Sequence, residues 1–338
     1  MAIFFIEGFD HLSAAQLSRK WSVAQNGTVN TGRFGGQCFK ITGSNDYVEK
    51  VAPSASQGWR LGFAFRLDTH NTSATVPFVA LMDGGSAQVE LCVDTGRRLQ
   101  VTRNGTAVGS PSTGTINVGQ WYYIEWFVVI SNGLTADQCN VYVDGTQYLA
   151  LGSGDTQNTA NATADRFRLQ NFTGFHGVSF DDVFASLESS TLPTLIGDTR
   201  VVTLSPSGNG NSSQFVGSDG NSTDNYLLVD ETGSIDDADY VQSSNVGDKD
   251  TYAMGNLTVT ATAIHAVQLS LGATKDDAGA RTARGLVRIS GTDYESSDLT
   301  VSSSNTVLTP IWLTSPATSS AWTQSEVDGM EAGVKVQA

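Results

Sequence analysis

The carboxylates with the most suggestive spacing stand near the C-terminus, in Glu326-Val327-Asp328-Gly329-Met330-Glu331. Two glutamates spaced E-x-D-x-x-E can cleave a glycosidic bond as nucleophile and acid/base when their carboxyl groups lie about 5 Å apart. A regular strand sends positions 326 and 331 to opposite faces, and Gly329 weakens such a strand further. Thr323-Gln324-Ser325-Glu326 instead fits a capping box, which gives Glu326 a role in starting a helical turn. Catalysis by this string is rejected on these grounds.

Asp181-Asp182 is a second candidate, as an acid pair or a metal pair. Strand neighbours face opposite sides, so the two cannot share a ligand without a bulge, and a structural role at a strand edge is favoured. The loops Asp83–Glu90 and Asp155–Asp165 offer oxygen ligands, but neither spacing demands calcium, and the metal question stays open. Cys38, Cys92 and Cys139 are widely spaced, as are His11, His70, His176 and His265, so no zinc site is read. Cys38 and Cys92 sit in apolar-alternating segments and read as buried free thiols. No Gly-x-Ser-x-Gly or phosphate-loop string occurs, and Gly208-Asn209-Gly210 does not lead a strand into a helix. The sequence thus offers no catalytic and no cofactor-binding residue. Trp21, Tyr47, Trp59 and Phe175 could stack on sugars but read as core.

The elements that would hold such residues are strands. The 338 residues contain 35 Gly and abundant Ser, Thr and Asn, a composition of short strands and tight turns. Trp59, Leu61, Phe63, Phe65 and Leu67 share one parity, the period-two signature of a strand with one face in a core. Gln120–Ile130 is almost wholly aromatic and β-branched, and predicts a central strand buried on both faces. Asp144-Gly145 after Asn140–Val143 predicts a two-residue hairpin of type I′.

Gly119-Gln120-Trp121-Tyr122-Tyr123-Ile124-Glu125, then Val141-Tyr142-Val143-Asp144-Gly145, resembles the laminin-G/concanavalin-like lectin superfamily. So does the closing Phe180-Asp181-Asp182-Val183-Phe184, where the last strand returns beside the first. The resemblance implies a jelly-roll sandwich over 1–190. Calcium sites occur in those families, so the resemblance leaves calcium open as a cofactor without naming its ligands.

Residues 191–254 change texture. A Gly/Ser/Asn-rich run and an acidic stretch predict an extended connector, with short ordered anchors at Leu195–Val201 and Asp237–Val241. Residues 255–338 regain alternation and predict a smaller β-sandwich, including a strand from Leu257 that continues through a bend near His265 to Leu271. The fold class is all-β: jelly-roll sandwich, acidic connector, small C-terminal sandwich.

Net charge is −15, with −4 in residues 1–190 and −11 in 191–338. Such acidity disfavours nucleic acid and anionic membrane surfaces as partners. The N-terminus lacks the basic and apolar regions of a secretion signal, and no apolar run approaches a membrane span. The stretch from Asp181 to about Tyr252 resembles tailed-bacteriophage virion proteins. That resemblance implies a non-enzymatic virion structural protein made in a bacterial cytoplasm, on a capsid or a tail. It would pack with other virion subunits, assemble as a homo-oligomer (trimer favoured) and contact host surface glycans. A polysaccharide-degrading glucanase or lyase with an appended β module is the alternative.

Overall fold

The computed structural model describes residues 2–171 and 177–338, and strand dominates throughout. The chain divides into two compact units, Met1–Asp10 with Trp21–Val201, and His11–Lys20 with Val202–Ala338. The division falls at 201/202, so the segment expected as a connector is shared between the units.

The first unit contains strands β1 (Ala2–Glu7), β2 (Val23–Gln25), β3 (Thr28–Thr31), β4 (Gln37–Ile41) and β5 (Asp46–Ser56). There follow β6 (Gly58–Thr69), β7 (Val76–Asp83), β8 (Ser86–Val93), β9 (Leu99–Arg103) and β10 (Thr106–Ala107). The set closes with β11 (Trp121–Val129), β12 (Cys139–Val143), β13 (Thr146–Leu151), β14 (Ala164–Asn171) and β15 (Gly177–Glu188). One sheet runs β13-β12-β11-β6-β15-β4-β3, with β1 also paired to β15, and the other runs β10-β9-β8-β7-β14-β5-β2. The closing strand does return beside the first, in antiparallel register.

Period-two patterning decides what fills the space between the sheets. Trp59, Leu61, Phe63, Phe65 and Leu67 of β6 are all at most 1% exposed. Phe65 meets Phe78 from the other sheet with ring centroids 4.4 Å apart. Cys38 and Cys92 are free and buried, as expected, and so is Cys139. Burial pushes the Cys38 thiol up to about 11 and the Cys139 thiol up to about 12, so both stay protonated and inert.

The β12–β13 turn has φ +48° at Asp144 and +76° at Gly145, the left-handed pair of a type I′ hairpin. No atom lies within 4 Å of the point where a Gly145 side chain would start, so its role is conformational alone. Gly145→Val is expected to destabilise the unit by about 1–2 kcal/mol, read by denaturant unfolding.

β11 is the most heavily buried strand of its sheet, and its outward face is covered by residues 194–201. Arg60 on β6 is 1% exposed. It donates to Glu125 at 3.2 Å, to Glu188 at 3.0 Å and to the Thr194 carbonyl at 2.7 Å. Glu125 in turn accepts the backbone N–H groups of Ile196 and Gly197. The anchor expected at Leu195–Val201 is therefore a strap fastened to the sandwich.

The second unit holds a six-stranded sheet built from Pro206–Ser213, Lys249–Met254, Glu331–Val336, Arg281–Ile289, Thr292–Glu295 and Leu299–Val301. Leu269, Val287, Ile289, Trp322, Val327, Met330 and Ala332 form its core. In the second segment expected as an anchor, Asp237 makes a bidentate pair with Arg19, both N···O distances 2.6 Å.

The strand expected over 257–263 does not form, and the reason lies in a competing set of partners. Leu257 N–H donates to Asp328, Ala261 N–H donates to Gln324, and Gln324 donates to the Val259 carbonyl. Side chains of the helix Gln324–Asp328 satisfy this backbone, which leaves no ladder to join. The capping box forms as expected, with Thr323 accepting from Glu326 N–H and Glu326 accepting from Thr323 N–H. Thr323→Ala is expected to cost about 1 kcal/mol in unfolding free energy, whereas Glu326→Gln preserves the box and should be close to neutral.

Candidate functional site

The seven-stranded sheet turns Phe167, Leu169, Val48, Leu91 and Val101 inward and a polar set outward. Register fixes that set as one row. Glu49 on β5 opposes Arg168 on β14, which opposes Ala80 on β7, which opposes Glu90 on β8, which opposes Thr102 on β9. Tyr47 and Gln170 oppose each other in the next row, on the same face. Strands about 4.8 Å apart place the backbones of Glu49 and Glu90 roughly 14 Å apart, and Ala80 leaves the row low between Arg168 and Glu90.

Two different environments meet here. Glu49 is 2% exposed and accepts from both neighbouring guanidinium groups: Arg166 at 3.0 Å, and Arg168 through two nitrogens at 3.0 and 2.6 Å. The Arg168 guanidinium also lies 4.3 Å from the centroid of the Tyr47 ring, which fixes it against an aromatic plate. Among the described residues no cation lies against Glu90. It accepts from Gln170 at 3.2 Å and from Thr102 at 3.3 Å, and Thr102 lies 3.1 Å from the buried Cys92 sulfur. Burial raises the Glu90 carboxyl above the ordinary range, against the lowering effect of those two donors. A carboxyl of this kind retains a proton longer than a free glutamate and can donate it.

The residues singled out from sequence are placed elsewhere. Glu326 is spent on the capping box and a bond to Ser315, while Glu331 accepts from Asn211 N–H and from Thr251. The loops considered for calcium are tied to one another by hydrogen bonds. Asp83 accepts from Thr159 and Asn161, Asp165 accepts from Gly84 N–H, and Asp155 pairs with Arg103. Among the described residues no group of three His, Cys, Asp or Glu has the geometry to hold a metal ion. Trp21 and Trp59 are core, Tyr47 is half-buried on the polar face, and Phe175 and His176 lie outside the described residues.

Asp181 and Asp182 differ from expectation. They stand in a central strand rather than at an edge, and the β15–β6 register breaks between Asp181 and Phe184. Asp182 takes φ +50°, the conformation that a bulge requires and aspartate tolerates. The bulge brings both carboxylates with Asp10 around a cavity of about 60 Å³.

No family model matches the chain, and no curated protein matches it. Solved structures do. The cellulose induced protein Cip1 aligns at 16% identity and a TM-score of 0.39, over 52% of this chain and 94% of that one. Alginate lyase Aly36B aligns at 13% identity and a TM-score of 0.40, over 55% and 98%. Trypanosoma rangeli sialidase aligns at 16% identity and a TM-score of 0.35, over 49% of this chain and 27% of its own. None of these is a bacteriophage protein. The expectation of a non-enzymatic virion structural protein is corrected accordingly. Sequence reasoning seeks paired carboxylates within one short string, whereas Glu49 and Glu90 stand on strands far apart in the chain.

The signal that could have found this face is the alternation itself. Arg166-Phe-Arg168-Leu-Gln170, Tyr47-Val-Glu49 and Gln88-Val-Glu90-Leu-Cys92 all carry polar groups on one parity and apolar groups on the other.

Proposed function

We propose that this chain is a polysaccharide-degrading enzyme, with the outward face of the seven-stranded sheet as its working surface and the second unit as an appended β module. The observation that carries this reading is the pair of glutamates on one polar sheet face in contrasting surroundings, Glu49 under two guanidinium groups and Glu90 with no cation against it among the described residues. Glu90 serves as the proton donor to the leaving glycosidic oxygen, with Gln170 and Thr102 holding its carboxyl in place. Tyr47 and Arg168 form a plate-and-cation element of the kind that orients a sugar ring and its hydroxyls. Both glutamates reach toward β14, at Arg168 and Gln170, which stand about 7 Å apart along that strand.

The test is incubation with a panel of neutral and uronic polysaccharides. New reducing ends, with or without absorbance of an unsaturated product, support the reading, and the absorbance separates elimination from hydrolysis. Silence across the panel, with binding retained, sinks the catalytic assignment and leaves a glycan-binding face.

A further inference from the structure

The strap 194–201 is fastened along its length, and its last fastening differs in kind from the others. Asp198 makes a bidentate pair with Arg33, both distances 2.6 Å, and Thr199 bonds the Tyr123 hydroxyl. Val201 N–H donates at 2.8 Å to Oδ1 of Asp182, the residue at the bulge. The other oxygen, Oδ2, is buried and has no hydrogen-bond donor among the described residues; the Arg33 guanidinium lies 3.8 Å from it. Asp181 accepts from the N–H groups of Arg33 and Asp182, and Asp10 accepts from Gln37 N–H.

Three carboxyl groups thus share one small cavity just beneath the point where the chain leaves the first unit. We propose that the strap is a proton-operated latch, closed while the Asp181–Asp182 pair retains a proton and loosened when both ionise. A buried carboxyl oxygen without a donor is accommodated far better as part of a neutral acid than as part of an anion.

The charged and titratable groups facing the pair are Asp10 from the turn after β1, Arg33 from the β3–β4 turn, Cys38 on β4, Tyr123 on β11 and Arg200 on the strap. Burial raises both carboxyls, and the charge of Asp182 raises Asp181 further; Val201 N–H, Arg33 and Arg200 oppose this at Asp182 without cancelling it. A carboxyl raised on folding contributes stability that is complete below its unfolded value and is lost as pH rises through its folded value. The latch therefore closes on the acid side and loosens toward alkaline pH.

Amide hydrogen exchange of residues 195–201, referenced to core amides of β6 and run with chelator, tests this. The referenced protection is expected to fall at least about tenfold between about pH 5.5 and about pH 9. Asp182→Asn, which keeps an acceptor for Val201 N–H, should hold the strap with no such fall. Asp10→Asn, which removes a neighbouring charge from the cavity wall, should shrink it. A flat wild-type profile overturns the latch, as does an unchanged fall in both variants. Full restoration of protection at the alkaline end by calcium alone also overturns it, because the carboxylates would then be answering a cation.

Discussion

Replacing Glu90 by Gln is expected to lower glycan cleavage by about 10²–10⁴-fold, the usual contribution of a positioned general acid. Gln can keep the contacts with Gln170 and Thr102 but has no proton of the required acidity. The variant should remain folded. Because burial raises Glu90, the neutral form is the one the fold prefers, and an uncharged isostere relieves the cost that ionisation carries at neutral pH. The same shift sets the sign of the pH dependence. Activity that requires protonated Glu90 falls as pH rises through its raised value, so the alkaline limb lies above that of an ordinary glutamate. Rates measured across pH, alongside circular dichroism of the variant, check both statements.

Arg60→Met is expected to be the most damaging substitution in the first unit. It would leave Glu125 and Glu188 buried without their shared cation, and the loss of one member of such a network costs about 3–5 kcal/mol. For a unit of this size the melting temperature should fall by about 10 °C or more. Neutralising the orphaned partners in Arg60→Met/Glu125→Gln/Glu188→Gln should recover part of the loss. A triple variant no more stable than Arg60→Met would place the damage in packing rather than in uncompensated charge.

Much of the architecture follows from local pattern. The parity of Trp59–Leu67, the Asp144-Gly145 turn and the Thr323–Glu326 box each state a backbone preference that the fold does not override. Leu257–Ala263 shows where pattern fails, because alternating Leu and Val also suit a segment whose backbone bonds to Asp328 and Gln324. Asp182 fails for another reason. The rule that neighbours diverge holds until a bulge adds a residue, and the bulge is fixed by long-range register with β6. The polar face was hardest of all to read. Glu49, Glu90 and Arg168 become neighbours only through the strand order β8-β7-β14-β5, which no single segment encodes.

The most direct test of the working surface is a hydrogen-exchange footprint of the Glu90→Gln variant with and without an oligosaccharide of a cleaved polymer. Slowed exchange concentrated in β5, β14 and β8, lost again in a Tyr47→Ala variant, is the predicted result. Protection confined to the second unit, or none on those three strands at saturating oligosaccharide, would contradict the assignment of this face.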